Sequence, residues 1–371
     1  MDPKVLEAML PYFLENFGNA SSRSHVYGWT AEEAVDIARE QVAELIGAHA
    51  TEIVFTSGAT EAVNLAIKGT FENYAEKGNH IITCVTEHRA VLDTCEWIEN
   101  TGGKVTYLPV NTEGFIDLAE LEKEITSQTI LISIMYANNE TGTIQPVREI
   151  GELAKKHGVL FFTDATQAVG KTPIDVNEDD IDMLSLSAHK LYGPKGIGAL
   201  YVRRKNPKVN ISSQIHGGGH EKNMRSGTLN VPGIVGLGRA CEICQMELEN
   251  KQDAVGILRN LLERELLKIE GTSINGSQKY RLPNISNISF ANVNGEALLL
   301  DICREIAISR GSACSSVTSK PSHVLKALGL SDEIALSSFR ISLGRFTALS
   351  QIEFAIHNIT RIVEDHRSIV G

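Results

Sequence analysis

Cysteine is scarce in this chain, positive charge is in deficit, and no apolar run is long. Six cysteines scattered over 371 residues do not make the framework of a disulfide-stapled secreted domain, and a reducing cytoplasm suits them better. No stretch approaches the roughly 20 consecutive apolar residues needed to cross a bilayer. The first twenty residues lack the basic start and apolar core of a secretory signal. They are patterned instead like an amphipathic helix, with Val5, Leu6, Met9, Leu10 and Phe13 at helical spacing. With 35 Lys and Arg against 46 Asp and Glu, the formal net charge is −11. A chain so acidic has no general attraction for phosphate backbones or anionic membranes, so neither direct nucleic-acid binding nor membrane association is expected. Repeats and low-complexity tracts are also missing. What is present is 42% hydrophobic and 22% charged residues, ordinary for a globular enzyme long enough for two domains.

Short apolar or β-branched runs recur at 52–55, 80–83, 104–108, 130–135, 159–163, 183–185 and 198–202. Helical patterns lie between several of them, at 31–46, 60–76 and 150–156. Strands separated by helices predict a mainly parallel sheet covered on both faces, with ligands beyond the carboxyl ends of its strands. After about Glu247 the texture changes to a long helical segment (251–269), a strand-like run (287–290), a helix around 296–304, a Gly/Ser-rich loop (310–319) and closing helices. The reading is α/β, with a large domain over 1–247 and a smaller α+β domain over 248–371.

Four features follow strands of the expected sheet. Lys190, in Ser187-Ala188-His189-Lys190, is costly to bury unless neutral or paired, and burial beside cations favours a Schiff base with an aldehyde. Its plainer reading is a surface lysine. The glycine-rich Gly193-Pro194-Lys195-Gly196-Ile197-Gly198 that follows lets backbone pass close to a bound group. Asp164 ends an apolar strand, where its carboxylate can bond a protonated pyridine nitrogen or simply cap the next helix; Gln167 follows three residues later, within reach of a ring oxygen. Thr56-Ser57-Gly58-Ala59-Thr60-Glu61 joins strand to helix as either a phosphate cradle or a plain capping box. His88 suits stacking on a planar ring or moving protons near neutral pH, though a lone histidine is more often structural. All four can converge on one ligand carrying a phosphate and a basic ring.

Cys314 sits in the small-residue loop Gly311-Ser312-Ala313-Cys314-Ser315-Ser316, where a thiol can swing between a cofactor and a partner; as thiolate it would be a nucleophile. Its bland alternative is a small buried residue. Cys241 and Cys244 form a C-x-x-C in a helical run without a second pair or spaced histidines, so no metal site is expected there. Cys84, Cys95 and Cys303 read as core thiols. Arg340 lies in an apolar stretch and fits either a substrate α-carboxylate or an internal salt bridge. The Gly-rich His216-Gly217-Gly218-Gly219-His220-Glu221 and Arg225-Ser226-Gly227-Thr228 suit phosphate contact or a subunit interface.

On residues 57–61, 86–88, 138–140, 164–167, 187–198, 216–221, 225–228, 312–314 and 340–347, the chain resembles the cysteine desulfurases of the IscS/NifS class. These belong to the class V aminotransferase, fold-type I group of pyridoxal-phosphate enzymes. The resemblance implies a large domain with a mainly parallel seven-stranded sheet, pyridoxal 5'-phosphate as cofactor, and L-cysteine converted to L-alanine. Lys190 would hold the cofactor as a Schiff base and move the Cα proton. Asp164 would pair the pyridine nitrogen and Gln167 the ring oxygen, with His88 stacked on the ring and assisting proton transfer. Ala59, Thr60, Ser187 and His189 would hold the phosphate, joined by Thr228 from the partner subunit of a homodimer. Asn139 and Arg340 would bind the substrate's carboxylate region. Cys314 would take the sulfur as a persulfide and pass it to an acceptor protein, in iron–sulfur cluster assembly, tRNA thiolation or DNA phosphorothioation.

Two departures stand out. Family members usually begin with a strand carrying an Asp-x-x-Ala-Thr-Thr-Pro-like motif, whereas this chain starts at Met1-Asp2-Pro3, just after where that segment would end. The IscS group generally continues past the position of Gly371 with a tail that docks a scaffold protein. The rival expectations are a selenocysteine lyase or another class V aminotransferase-like enzyme, and, in a different class, a weakly active partner-binding subunit.

Overall fold

The structure, a computed structural model, describes residues 1–311 and 320–370. It divides into two compact units, one of residues 1–108, 118–136 and 146–248, the other of 109–117, 137–145 and 249–371.

The first unit is built on a seven-stranded sheet. Its strands are β1 (Ile53–Thr56), β2 (His80–Cys84), β3 (Lys104–Leu108), β4 (Thr129–Ser133), β5 (Leu160–Asp164), β6 (Met183–Ser187) and β7 (Gly198–Val202), in the spatial order β1-β7-β6-β5-β4-β2-β3. All run parallel except β7, which is antiparallel to both β6 and β1. Six of the strands are buried along their whole length, and edge strand β3 is mostly part-exposed. That explains why they read as unbroken apolar runs, because a parallel sheet with helices on both faces has no polar side. Helices Ala59–Asn73 and Arg89–Asn100 pack on it through Val63, Leu65, Ile67, Val91 and Ile98, against Ile81, Leu131 and Phe162. Each such side chain removed from water stabilises the unit by about 1.5–3 kcal/mol. Helix Val147–His157 stops at Gly158, whose φ of +64° sets the left-handed turn into β5 at little steric cost.

Register carries the geometry to the carboxyl edge. Thr56 pairs with Gly198, and Gly198 pairs with Ser187, so the end of β1 and the end of β6 flank the first residue of β7. Asp164 at the end of β5 pairs with Ser185.

The second unit has a three-stranded antiparallel sheet of β8 (Thr272–Ile274), β9 (Ile285–Phe290) and β10 (Ser338–Ser342), in the order β10-β9-β8. Phe290 and Phe339 from the sheet join Leu298, Ile359 and Val363 from helices Gly295–Ile302 and Leu349–Val370 in its core. The buried Glu263 carboxylate takes two bonds of 2.7 Å from Arg281 and one of 2.6 Å from Ser286 Oγ, which keeps a charge tolerable in this core. Two segments expected in the larger domain, 109–117 and 137–145, group with this unit. Ala137 bridges Ile144, Thr143 bridges Arg281, and the Ile144 N–H donates to Tyr280 O at 3.0 Å. The division falls inside helix Val231–Leu266, where the sequence pattern suggests two helical segments. Among the described residues no helix is long and apolar enough to cross a membrane.

Candidate active site

The helix after β1 begins without a side-chain cap. Gly58 is its N-cap, with φ +154° and ψ 178°, a conformation only glycine adopts readily. Glu61, which a capping box would aim at the N-cap N–H, instead accepts from Ser57 N at 2.7 Å and pairs with Arg225 at 2.7 Å. Burial alone would raise the Glu61 carboxyl, but the bonds from Arg225 and Ser57 outweigh it and hold it below its usual range. The first turn therefore presents backbone N–H groups and the positive end of the helix dipole, the chemistry that receives a phosphate. A Cβ built on Gly58 would stand 3.8 Å from Ser187 Oγ, and one on Gly198 only 2.8 Å from Gly58 Cα. Ser187 thus lies beside this nest, and glycine at 198 permits the approach.

From Ser187 the chain enters a single turn of 3-10 helix, Ala188–Lys190. Ala188 is held at both ends: its N–H donates to Ile197 O at 3.1 Å, and its carbonyl accepts from Leu191 and Gly193 at 2.8 Å each. Lys190, partly buried, is projected from this braced turn. His189 Nδ1 lies 2.8 Å from Ser187 Oγ. Burial, then the charges of Lys190, Lys195 and Lys171, lower the affinity of His189 for a proton. Within a chain of net charge −11, these amines make a local positive field of the sign an anionic ligand needs.

Asp164 is 7% exposed, and one oxygen, Oδ1, receives Thr166 N at 3.0 Å, Thr166 Oγ1 at 2.5 Å and Ser185 Oγ at 3.1 Å. Three donors on one oxygen fix the carboxylate's orientation, and Oδ2 can still accept from a cationic group. Gln167 is partly buried just beyond. His88 is the N-cap of helix Arg89–Asn100, its Nδ1 accepting from Ala90 N at 3.1 Å. A ring nitrogen that accepts carries no proton, so in the neutral imidazole the proton sits on Nε2. Ala59 is partly exposed, and Thr60 and Thr228 are exposed. The Gly-rich turn of 216–228 is tied to β1 by Glu221, which pairs with Arg39 at 2.7 Å and accepts from Phe55 N at 2.8 Å.

In the second unit, Arg340 on β10 donates through Nη1 to Asn139 O at 2.9 Å. Its backbone exchanges bonds of 2.7 and 3.2 Å with Ser309. Asn139 and Arg340 therefore stand together in that unit. Cys314 lies outside the described residues.

Cys84 and Cys95 are buried, and burial first, then the charge of Glu87, pushes both thiols up to about 12, so they are inert at neutral pH. Cys241, on a helix, is pushed well up by burial, and Cys244 beside it is buried too. Cys303 corrects the expectation of a core thiol. It is exposed, because it is the C-cap of helix Gly295–Ile302 and sits past the last buried turn. Among the described residues no group of three or more His, Cys, Asp and Glu side chains is placed to hold a metal ion. A cavity of about 380 Å³ opens at the amino edge of the sheet, by Leu160, Asp182 and Lys77, at the opposite end of β5 from Asp164.

Glu87 went unremarked in the sequence because it looks like one more surface acid. It is 1% exposed, and its Oε1 accepts from Met135 N at 2.5 Å. Burial, against the pull of that bond and with the charge of Asp164, raises its pKa well above the usual carboxylate range. A carboxyl with a raised folded pKa favours the fold below its unfolded value of about 4.5 and loses that contribution as pH climbs towards the folded value. Glu87→Gln keeps the shape without a proton to lose. Its stability relative to the wild type should rise as pH climbs above about 4.5, by up to about 1.4 kcal/mol per pH unit. Thermal melts of the two proteins across this range read this, and a difference that stays flat with pH refutes it.

A mainly parallel α/β sheet with one reversed strand, carrying an anion nest, a braced lysine and an oriented carboxylate on its carboxyl edge, defines a class that the comparisons specify. The aminotransferase class-V family model matches residues 1–354, and the chain belongs to that family. Cysteine desulfurase IscS of Histophilus somni (strain 129Pt) is 52% identical over 371 residues, all of this chain and 91% of the relative. A solved NifS-like protein superposes with a TM-score of 0.91 at 38% identity, covering 98% of this chain and 96% of that one. A structure described as SspA in complex with cysteine gives 0.82 at 40% identity, over 94% and 97% of the two chains.

Proposed function

We propose that this chain is a pyridoxal-phosphate-dependent cysteine desulfurase that converts L-cysteine to L-alanine and collects the sulfur on Cys314 for an acceptor protein. One observation carries the reading: Asp164, Lys190 and the uncapped helix start at Gly58 follow β5, β6 and β1 on the carboxyl edge of one sheet. A carboxylate for a ring nitrogen, an amine for an aldehyde and a nest for a phosphate are the anchors this cofactor needs. Family membership and the names of the relatives support it.

When bound, the cofactor supplies an electron sink conjugated to the substrate's Cα. Asp164 Oδ2 would hold a proton on the ring nitrogen, and Gln167 would donate to the ring oxygen. Ala59 and Thr60 N–H, Ser187 Oγ and His189 would bind the phosphate, and Thr228 would reach that of a second subunit. Lys190 would be the base that takes the Cα proton and returns it. His88 would stack on the ring, with its Nε2 proton placed for transfer. Arg340 and Asn139 orient the amino acid by its carboxylate. Cys314 thiolate then attacks the substrate sulfur: an S–S bond forms, the Cβ–S bond breaks, and the electron pair left on Cβ takes a proton, giving alanine and a Cys314 persulfide. The proposed acceptor serves iron–sulfur cluster assembly, tRNA thiolation or DNA phosphorothioation, in a cytoplasmic setting.

With cofactor, L-cysteine and a thiol reductant, the purified protein should form alanine and sulfide in equal amounts. Faster turnover of L-selenocysteine alone would make it a selenocysteine lyase, amino transfer to a keto acid would make it an aminotransferase, and no alanine under any condition would leave a partner-binding subunit. Arg340→Lys keeps the charge but loses the planar fork, so KM for L-cysteine should rise roughly tenfold or more while kcat changes only a few-fold. A KM within twofold of wild type removes Arg340 from the substrate site.

The homodimer is supported by the first thirty residues. Leu10, Phe13, Leu14, Phe17, Tyr27 and Trp29 are all exposed, Leu14 by 71% and Phe17 by 68%, and Phe17 stacks on Tyr27 at 5.9 Å. Exposed apolar residues of this kind mark an interaction surface, and a second copy of the chain is the occupant that the family resemblance implies. Phe13→Asp with Trp29→Asp should convert the sedimenting species from dimer to monomer; an unchanged dimer places the interface elsewhere.

A further inference from the structure

Lys171 has no part in the reading above, although its amine is buried in the same unit of the fold. Its Nζ donates to Gln167 O at 2.9 Å and lies 3.5 Å from Gln167 Oε1. The residue is only partly exposed, and loss of water around its amine is the largest influence on its charge. An ammonium withdrawn from water is expensive unless its donors are met, and the turn of 167–171 brings the Gln167 carbonyl and amide oxygens to it.

An ammonium only donates, so the amide oxygen of Gln167 must face it, and the opposite orientation would set donors against donors. With Oε1 committed, the Nε2 hydrogens are what Gln167 offers to a ligand oxygen. The second consequence is charge. Burial first, then the charge of Lys190, lowers the affinity of Lys171 for its proton, to about 8, with Cys244 acting the other way. Coulomb repulsion is mutual, so Lys171 disfavours positive charge on Lys190 by the same interaction. His189, on the turn after β6, feels the charges of Lys190, Lys195 and Lys171, and Cys244, on helix Val231–Leu266, acts on Lys171. A Cβ on Gly170 would be 2.8 Å from Cys244 Sγ, which shows how closely that helix packs here.

We propose that Lys171 is a positioning residue of the cofactor site: it orients the Gln167 amide so that its N–H donors meet the cofactor's ring oxygen, and it adds a second positive charge near Lys190. Lys171 does not touch the reacting atoms and acts through Gln167 and Lys190. The inference rests on the pyridoxal-phosphate reading, and the test separates the two. If the wild-type holoenzyme shows no visible absorbance band from a Lys190-linked cofactor, that reading fails. If the band is present, its titration in the variants decides the role of Lys171.

The variants are Lys171→Met, Lys171→Gln and Lys171→Arg, each titrated spectroscopically with cofactor bound and with circular dichroism to confirm the fold. Losing the charge should move the absorbance midpoint upward by roughly 0.5–1 pH unit in the Met and Gln proteins. The Arg protein, which keeps a cation, should stay at or below the wild-type midpoint. Should Met fail to fold, Gln, which still donates to the Gln167 carbonyl, carries the comparison. A midpoint that does not rise in the neutral variants overturns the proposal, and so does an Arg protein that shifts as far as they do.

Discussion

Cys314→Ala is expected to release no sulfide from L-cysteine above background while binding pyridoxal phosphate as the wild type does. The two outcomes separate because the proposed cofactor anchors (Asp164, Lys190, Gly58 and Ser187) all belong to the first unit, and the substitution alters none of them. Sulfur leaves carbon here only if something takes it, and a thiolate is the side chain suited to attack another sulfur. Neither a methyl nor water held at low effective concentration replaces it, so turnover should fall by at least about 10³, or 4 kcal/mol in barrier. Serine at 314 should fail equally, because its hydroxyl is not ionised near neutral pH. Sulfide release by Cys314→Ala at more than a few per cent of the wild-type rate would mean that another thiol is the acceptor. Cys303, exposed among the described residues, would then be the first to replace.

Lys190→Ala should be comparably damaging in a different way. The amine has two proposed duties, holding the cofactor covalently and moving the Cα proton, and the second alone contributes about 10² to 10⁴ in rate. Turnover should fall by at least about 10³, and borohydride should no longer fix the cofactor to the protein. The backbone of the turn should keep its shape. The turn carrying Lys190 is braced through Ala188, whose N–H and carbonyl engage Ile197, Leu191 and Gly193, so truncating the side chain removes none of those bonds. Asp164 and the nest at Gly58 should still bind cofactor without a covalent bond, with an absorbance like that of the free aldehyde. Retained borohydride labelling would show that another lysine forms the Schiff base, and the neighbouring Lys171 is the one to examine.

The runs at 52–55, 80–83 and 130–135 lie within two residues of β1, β2 and β4. They were legible because a strand buried on both faces must be apolar at every position, a signal that survives in one sequence. β10 was not read as a strand: Ser338-Phe339-Arg340-Ile341-Ser342 mixes polar and apolar residues at a length where periodicity cannot distinguish strand from loop. Nor was the reversal of β7 legible, since apolar content does not encode direction. The split of helix Val231–Leu266 failed for a related reason. Its polar middle breaks the amphipathic pattern, whereas helical hydrogen bonding continues through polar residues.

By itself the sequence determined the alternation of strands and helices, the sheet class, and the residue types that end each strand: the glycine at 58, the acid at 164, the lysine at 190. These are local facts, set by side-chain polarity, backbone freedom and spacing along the chain. Only the tertiary structure decided between a capping box and a nest at Gly58, because Glu61 is drawn away by Arg225, 164 residues distant. It alone showed that Asp164 is held through one oxygen, that Glu87 is buried beside it, and that Lys171 grips Gln167. Hydrogen-bond direction and burial depend on partners brought close by folding, and no spacing along the chain records which partner will arrive.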